Sequence, residues 1–240
     1  MTESAEQSSL PKPKVIFFDA VGTLFGIRGS VGEIYSHIAG KYGVDASADA
    51  LNSSFGRVFS RTPSLAFGQI PASDIPSHEY QWWYEVAQET FSEVELLRKF
   101  ADFEIFFQDL YVYFATKKPW YLYQDTIDCL EKWQAKSVEL GIISNFDTRI
   151  YQVLKLLKIS HYFNSVTVSS EAGFAKPNPK IFKTALAKHS CSPSQAWHVG
   201  DSSNDDFQGS SSVGIRAFLL ARDKIDSIVE NQLPNLNSLG

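Results

Sequence analysis

Val15-Ile16-Phe17-Phe18-Asp19-Ala20-Val21-Gly22-Thr23-Leu24-Phe25 is the stretch that decides the fold. Its first four residues are two β-branched and two aromatic side chains in a row, a pattern typical of a short strand buried on both faces. The run stops at Asp19, and Gly22 with Thr23 then allows a tight turn. Parallel α/β sheets carry their chemistry at the carboxyl ends of strands, so Asp19 is a candidate functional residue. The alternative for Asp19 is a plain turn-capping role.

The composition indicates a soluble globular protein. Of the 240 residues 44% are hydrophobic and 20% charged, and the net charge of -5 argues against a nucleic-acid-binding surface. The apolar stretches are too short to cross a bilayer, and the polar start of the chain resembles neither a signal nor a transit peptide. Cys129 and Cys191 lack metal-site spacing and favour free thiols in a reducing compartment. We therefore expect a cytoplasmic protein without nucleic-acid or membrane partners, with residues 1–11 as a disordered tail.

Residues 28–116 are expected to form a helical insertion in a core made of residues 12–27 and 117–240. Its aromatic-rich part is more typical of the core of a helical bundle than of a ligand site, although one or two rings can face a substrate. The predicted elements are two helices, an irregular connection and an aromatic-rich helical stretch, over Glu33–Tyr42, Ala48–Ser60, Thr62–Pro76 and Ser77–Phe114.

Strand and helix patterns alternate after residue 117. Predicted strands cover Val138–Ile143, Ser165–Val168, Ala196–Val199 and Ile215–Leu220, and predicted helices cover Asp125–Ala135, Thr148–Leu157, Pro179–Lys188 and a last segment from Ile225–Glu230. This alternation means right-handed crossovers. The fold class predicted is α/β, with a three-layer, Rossmann-like parallel sheet and an inserted helical domain.

Polar side chains follow four of the predicted strands. They are Asp19 after the first strand, Ser144 and Asn145 after the second, Lys176 beyond the third, and Asp201 to Asp206 after the fourth. Each has a simple structural alternative, as a turn former, a solvated charge or a helix N-cap. Right-handed crossovers bring the four positions to one edge of the sheet, which favours a single site.

This order of residues resembles the haloacid dehalogenase-like (HAD) hydrolase superfamily over nearly the whole chain from about residue 12. The matching positions are Asp19 for the nucleophile, Ser144 and Lys176 for the second and third motifs, and Asp201 with Asp206 for the acidic fourth, where Asp205 is the alternative to Asp206. The insertion resembles the cap of subfamily I, which lies between the first and second motifs.

The resemblance implies phosphoryl transfer from a small phosphorylated molecule to Asp19. The implied Mg²⁺ ligands are Asp19, Asp201, Asp206 and the carbonyl of Val21. Lys176 and Ser144 would bind the phosphoryl oxygens, and the further candidates for substrate contacts are Gly22, Thr23 and Asn145. The oligomeric state is left open.

Val21 departs from the pattern of the phosphatases in this superfamily, which carry a second aspartate there as general acid. Loss of a general acid typically costs about 10²–10⁴ in rate. Metal-free 2-haloacid dehalogenases also lack that acid, but they lack the acidic fourth motif that Asp201 and Asp206 supply here. Since Asp201 beside Asp19 without a cation would pair like charges, we expect a Mg²⁺-dependent phosphohydrolase that prefers acyl or aryl phosphates.

Two alternatives stay open at this stage, a metal-free dehalogenase and a non-catalytic binding protein that retains the fold. Among weaker candidates, Arg28, Arg57 and Arg61 either bind an anionic substrate or are solvent-exposed charges. His198 lies in a predicted strand, and a hydrogen-bonded core residue is the better interpretation.

Overall fold

A computed structural model describes residues 11–222 and 231–240. Within these residues the strands are β1 (Val15–Phe18), β2 (Phe25–Ile27), β3 (Trp120–Leu122), β4 (Glu139–Ser144), β5 (Ser165–Val168), β6 (Ala196–Gly200), β7 (Arg216–Leu220) and β8 (Gln232–Leu233). Six of them form a parallel sheet in the order β5-β4-β1-β6-β7-β8, and β2 pairs with β3 in a separate antiparallel ribbon.

Helices cover both faces of the sheet and also form a separate group. In chain order they are α1 (Val31–Lys41), α2 (Ala48–Arg61), α3 (Ile75–Glu93), α4 (Phe103–Phe114), α5 (Thr126–Ala135), α6 (Ile150–Leu156), α7 (Ser169–Ala172), α8 (Pro179–Lys188) and α9 (Gly209–Ser211). Among the residues described, no helix combines the length and apolar character that a bilayer span requires.

The central strand β1 is fully buried and supplies both faces of the core. Ile16 and Phe18 pack in one hydrophobic cluster with α5 and α6. Val15 and Phe17 point the other way and pack with α8. This alternation follows from the two-residue period of a strand. The predicted three-layer α/β fold with a parallel sheet is confirmed.

The register of the sheet aligns the ends of its central strands. Phe18, the last residue of β1, lies opposite Ile142 of β4 and Val199 of β6. All pairings within the sheet are parallel, so the residues that follow these positions reach one edge together. The chain therefore brings the segments after β1, β4 and β6 side by side.

The helices α1 to α4 lie between β2 and β3 in the sequence and bury a hydrophobic cluster of their own. Phe91, Phe106 and Phe107 are buried in it, so the interpretation of these aromatics as helical core is confirmed. The β2–β3 ribbon closes the segment, and the N–H of Arg28 donates to the carbonyl of Pro119 at 2.8 Å. The segment that contains α1 to α4 thus begins and ends at one place, the β2–β3 ribbon.

Several predicted boundaries differ from the structure. The irregular connection ends sooner than predicted, because α3 begins at Ile75 with Pro76 in its first turn, where a missing N–H breaks no helical bond. The short strands β2, β3 and β8 were not predicted, since two or three residues carry no periodic pattern. The predicted segment from Ile225–Glu230 lies outside the described residues.

Candidate active site

Asp19 lies directly beyond β1. Its backbone N–H donates to the carbonyl of Val199 at 2.9 Å, which extends the ladder between β1 and β6 by one residue and fixes the position of the side chain. The residue is only 7% exposed. Burial raises the pKa of its carboxyl group and Asp206 adds to the effect, while the ammonium group of Lys176 opposes it. The carboxylate therefore needs a positive partner to stay ionised.

Lys176 supplies one such partner. Its buried Nζ donates to Asp19 Oδ1 at 2.7 Å and to Asp206 Oδ1 at 2.6 Å. Burial disfavours the charged ammonium, but the two carboxylates outweigh that effect and hold the pKa of Lys176 above its ordinary value. Asn145 fixes the Lys176 backbone, because its Oδ1 accepts from the Lys176 N–H at 2.7 Å and its Nδ2 donates to the Lys176 carbonyl at 3.0 Å.

Asp206, rather than Asp205, faces the site. It lies in a short π-helix, Ser203–Gln208, and is 1% exposed. Besides Lys176 it accepts hydrogen bonds from the Ser202 N–H at 3.1 Å and from His198 Nε2 at 2.9 Å. Although burial opposes ionisation, Lys176 and His198 hold the pKa of Asp206 below its usual range. Asp205 instead accepts from Asn145 Nδ2 at 3.3 Å.

His198 is the buried, hydrogen-bonded residue that the sequence predicts, but its partner is a site carboxylate. An ionised carboxylate only accepts hydrogen bonds, so Nε2 of His198 carries the proton. Gly200 lies two residues further along β6, and a Cβ there would stand 2.1 Å from Asp206 Cγ. The missing side chain at Gly200 is what lets Asp206 approach the strand.

Asp201 completes an acidic group with Asp19 and Asp206, in which one carboxylate oxygen from each residue lies within 4.8 Å of the other two. Asp201 is the exposed member of the three. Partial burial, then the charges of Asp19 and Asp206, raise its pKa to about 7. When all three carboxylates are ionised, the single ammonium group leaves two negative charges unbalanced, which fits a divalent cation. Gly22 preserves the space, because a Cβ there would lie 2.3 Å from Asp201 Oδ2.

Two predicted substrate contacts are not supported by the geometry. The N–H of Gly22 donates to the Phe25 carbonyl at 2.9 Å, so Gly22 contributes space and not a free donor. Thr23 is completely buried, and its carbonyl accepts from Arg222 Nη2 at 2.7 Å. The turn after β1 turns Thr23 inward, a direction that the sequence pattern does not reveal.

A cavity of about 320 Å³ opens from this edge of the sheet towards α1 to α4. Asp19, Ser144 and Asn145 lie at one end of it. The remaining lining is apolar or aromatic with a single arginine: Val21, Ile27, Val31, Tyr35, Phe55, Phe59, Trp83, Phe107, Leu110, Tyr111, Phe114, Trp120, Phe146 and Arg149. More of the predicted aromatic stretch faces the cavity than the one or two rings expected.

A polar network that the sequence analysis missed joins α3 to the loop after β4. Trp83 Nε1 donates to Asp147 Oδ2 at 2.6 Å, and Arg149 Nε donates to Asp147 Oδ1 at 2.9 Å. Buried Glu79 accepts from the Thr148 N–H at 2.9 Å and from Ser170 Oγ at 2.6 Å. Trp83 and Glu79 lie 64 or more residues from their partners in the sequence, so no local pattern reveals these bonds.

The arginines singled out in the sequence do not line this cavity. Arg57 and Arg61 are exposed and pair with Glu93 at 2.9 Å and 2.6 Å. Arg28 Nε donates to the Trp120 carbonyl at 3.1 Å. The solvent-exposed alternative therefore holds for Arg57 and Arg61, and Arg149 is the arginine that the fold brings to the cavity.

A buried aspartate, a paired lysine and an acidic group at the carboxyl edge of a parallel sheet place the protein among α/β enzymes with a strand-end active site. The profile of the haloacid dehalogenase-like hydrolases matches residues 13–214. The chain belongs to this family of hydrolases.

Two relatives illustrate its similarity in sequence. The human haloacid dehalogenase-like hydrolase domain-containing protein 3 is 31% identical over 227 residues, which are 92% of this chain and 87% of that protein. A glyceraldehyde 3-phosphate phosphatase of Methanothermobacter thermautotrophicus is 36% identical over 110 residues, 45% of this chain and 47% of that protein.

Solved structures share the fold at lower identity. The HAD phosphatase of Thermococcus onnurineus superposes with a TM-score of 0.65 at 23% identity and covers 94% of this chain and 95% of that one. The L-2-haloacid dehalogenase of Xanthobacter autotrophicus gives 0.68 at 16% identity, with 95% and 96% covered. The fold alone therefore does not choose between phosphate and halide chemistry.

Proposed function

We propose that the protein is a Mg²⁺-dependent phosphohydrolase that works through an aspartyl-phosphate on Asp19. The observation that supports this best is the acidic group of Asp19, Asp201 and Asp206, in which one oxygen from each lies within 4.8 Å of the other two, beside a single ammonium group. Such a group is costly without a cation because like charges repel at close range. The partial likeness to a phosphatase points the same way.

Asp19 and Asp201, with the carbonyl of Val21, are the residues proposed to hold the cation, and Asp206 supports them. Oxygen donors of this kind suit Mg²⁺, which would reduce the repulsion between Asp19 and a phosphate and offset charge on the phosphoryl oxygens. Asp206 already accepts from Lys176, His198 and the Ser202 N–H. Its main contribution is therefore to fix Lys176 and to add negative charge beside the ion.

In the proposed reaction an oxygen of Asp19 attacks phosphorus, and the bond from phosphorus to the leaving oxygen breaks with its electron pair on that oxygen. Lys176 balances charge on the transferred group, and Ser144 donates a hydrogen bond to it. Water then attacks the phosphorus of the aspartyl-phosphate. This second step restores the Asp19 carboxylate and releases inorganic phosphate and a proton.

Val21 lies on the cavity wall next to Asp19 and carries no acidic proton. The leaving oxygen therefore departs as an anion, without the roughly 10²–10⁴-fold help that a general acid gives. This favours substrates whose leaving group is already acidic, such as acyl or aryl phosphates. Alkyl phosphates are expected to react slowly.

We further propose that residues 28–116 act as a cap over a core of residues 12–27 and 117–240. The cavity supports this division, because its lining combines Asp19 and Ser144 with side chains from α1 to α4. A small phosphorylated molecule would bind between the two parts.

A metal-free dehalogenase is the second candidate, and Val21 with the apolar cavity favours it. In that reaction Asp19 attacks carbon and the halide leaves without a proton, so no acid is required at position 21. The extra carboxylate of Asp201 has no function in such a mechanism.

The test is a screen of phosphate esters with Mg²⁺ and with EDTA, run on the unaltered protein, on Asp19→Asn and on Asp45→Asn. Asp45 is an exposed aspartate and controls for the loss of a charge. We expect phosphate release that requires Mg²⁺, disappears in Asp19→Asn and is unchanged in Asp45→Asn.

Other outcomes separate the alternatives. Chloride release from a 2-chloro acid in EDTA, lost in Asp19→Asn, would establish the dehalogenase instead. No turnover in either assay, with ligand binding retained, would identify a binding protein that keeps the fold.

A further inference from the structure

We propose that the organic part of the substrate is an uncharged, apolar group of aromatic size, so that the enzyme acts on phosphate esters or acyl phosphates of such groups and not on sugar phosphates. This inference rests on the proposed phosphohydrolase function and adds the substrate class. It follows from the walls of the cavity and not from the catalytic edge.

Each of the helices α1 to α4 contributes an aromatic ring to the wall. Tyr35 comes from α1, Phe55 and Phe59 from α2, Trp83 from α3 and Phe107 from α4. The cavity of about 320 Å³ is at the small end of the range of roughly 300–1,000 Å³ for ligand pockets. Most of this surface is carbon, and its polar atoms are the hydroxyl groups of Tyr35 and Tyr111 and the groups at the Ser144 end. A polyol placed against the rings would lose more hydrogen bonds to water than these few groups replace, at a cost in binding.

The polar atoms of the lining indoles are already used. Trp83 Nε1 donates to Asp147 Oδ2 at 2.6 Å, and Trp120 Nε1 donates to the Phe114 carbonyl at 2.9 Å. Both rings therefore present carbon surface to the cavity. Hydrogen-bonding groups of a sugar would find no free indole donor at these two positions.

Arg149 is the one cation among the described residues that line the cavity, and its charge is engaged. Nε and Nη2 both donate to the completely buried Asp147. Nη1 donates to the Tyr111 carbonyl at 3.0 Å, and the guanidinium lies 3.8 Å from the centre of the Tyr111 ring. A second anionic group on the substrate would therefore meet a cation whose charge is balanced, which favours a neutral organic part.

Phe59 extends the apolar wall to solvent. It is 45% exposed, and its ring stacks on Phe55 at 5.3 Å and on Trp83 at 6.1 Å. An exposed ring that continues a cavity lining offers apolar contact to a ligand that enters there. Phe59 can also be shortened without opening the buried core.

The first test compares leaving groups of similar acidity and different apolar area. We expect kcat/KM for 2-naphthyl phosphate to exceed that for phenyl phosphate by about tenfold, from roughly 50 Å² of additional buried apolar surface. 4-Carboxyphenyl phosphate has a leaving group at least as acidic as phenol but carries a charge. We expect it to react at least about tenfold more slowly than phenyl phosphate.

The second test uses Phe59→Ala with Ile105→Ala as the matched control. Ile105 is 52% exposed on α4 and does not line the cavity. We compare kcat/KM for 2-naphthyl phosphate with kcat/KM for acetyl phosphate. Phe59→Ala should lower the ratio of the first to the second about fivefold, because the KM for 2-naphthyl phosphate rises. Ile105→Ala should leave that ratio at its original value.

The outcomes distinguish this inference from the proposed function. Turnover that depends on Asp19 but is equal for all the aryl phosphates and unaffected by Phe59→Ala would overturn the apolar substrate class alone. If no phosphate ester is hydrolysed, the proposed phosphohydrolase function is wrong. Titration calorimetry with 2-naphthyl phosphate then tests separately whether the cavity binds an apolar group. Saturable binding weakened by Phe59→Ala supports the apolar site, and absence of binding overturns it.

Discussion

The carboxyl edge of the sheet and the aromatic wall of the cavity meet at Asp19 but are stabilised in opposite ways. At the edge, buried charges form ion pairs, in which Lys176 bonds both Asp19 and Asp206. On the wall, rings from α1 to α4 pack together, and the indole N–H groups of Trp83 and Trp120 already donate to Asp147 and to the Phe114 carbonyl. The edge is stabilised by the balance of its charges, and the wall is stabilised by its buried apolar area. Substitutions at the two places should therefore have different effects.

The largest effect is expected from Lys176→Met in the metal-free protein. This change leaves Asp19 and Asp206 buried without their cation, which typically costs about 3–5 kcal/mol of unfolding free energy. Urea unfolding followed by circular dichroism measures it. The control is Lys183→Met, since Lys183 is exposed on α8 and should change stability by no more than about 0.5 kcal/mol. Equal stabilities of the two variants would show that the edge does not depend on charge balance.

The second-largest effect is expected from Asp201→Asn, which should lower Mg²⁺-dependent turnover about 10²–10³-fold. The reason is that an amide is a weaker ligand for a hard cation than a carboxylate. The increase in melting temperature on adding Mg²⁺ should disappear as well. Asp205→Asn is the matched control, as Asp205 contacts Asn145 and lies outside the acidic group. Identical behaviour of the two variants would contradict the assignment of Asp201.

A smaller effect is expected where the wall meets the loop after β4. Trp83→Phe keeps the ring but removes the hydrogen bond to Asp147, and a bond to a charged group contributes about 1.5–3 kcal/mol. Trp82→Phe is the control, because Trp82 Nε1 donates to the neutral Pro63 carbonyl near the surface. Thermal melts should show the larger loss for Trp83→Phe. A larger loss for Trp82→Phe would argue against the network between α3 and this loop.

The smallest effect concerns pH. In the metal-free protein the pKa of Asp201 is about 7, so its carboxyl group is mostly protonated at pH 6 and ionised at pH 8. Because Mg²⁺ must displace that proton, the Mg²⁺ affinity measured by calorimetry should fall about tenfold from pH 8 to pH 6. A raised pKa also means that the native state holds this proton more tightly than the unfolded chain. The contribution of Asp201 to stability is therefore present at acidic pH and lost as the pH rises through 7.

The two regions also differ in how far the sequence predicts them. Asp19 and Asp201 directly follow apolar strands, and Lys176 lies beyond the end of a third, so the proximity of these residues could be predicted from strand order. The choice of Asp206 over Asp205 could not, because it depends on the π-helix after β6. His198 and Gly200 lie two residues apart on β6, and alternate residues of a strand share a face. The sequence therefore did indicate one face of β6 with a hydrogen-bonding side chain and free space, which is where Asp206 lies.

The wall could be predicted only as aromatic and helical. Which rings face the cavity depends on how α1 to α4 pack against the sheet, and that packing has no local pattern. The hydrogen bond from Trp83 to Asp147 likewise joins residues that lie 64 positions apart in the sequence. The catalytic, metal and substrate roles given to individual residues stay predictions until the variants are measured.

The antiparallel ribbon of β2 and β3 separates changes in the helical segment from changes in the sheet. Since the N–H of Arg28 meets the carbonyl of Pro119, the intervening stretch starts and finishes at one point of the scaffold. A change in the length of that stretch therefore need not shift Asp19, which follows β1. Substitutions in α1 to α4 can therefore reshape the cavity while the carboxyl edge of the sheet keeps its geometry.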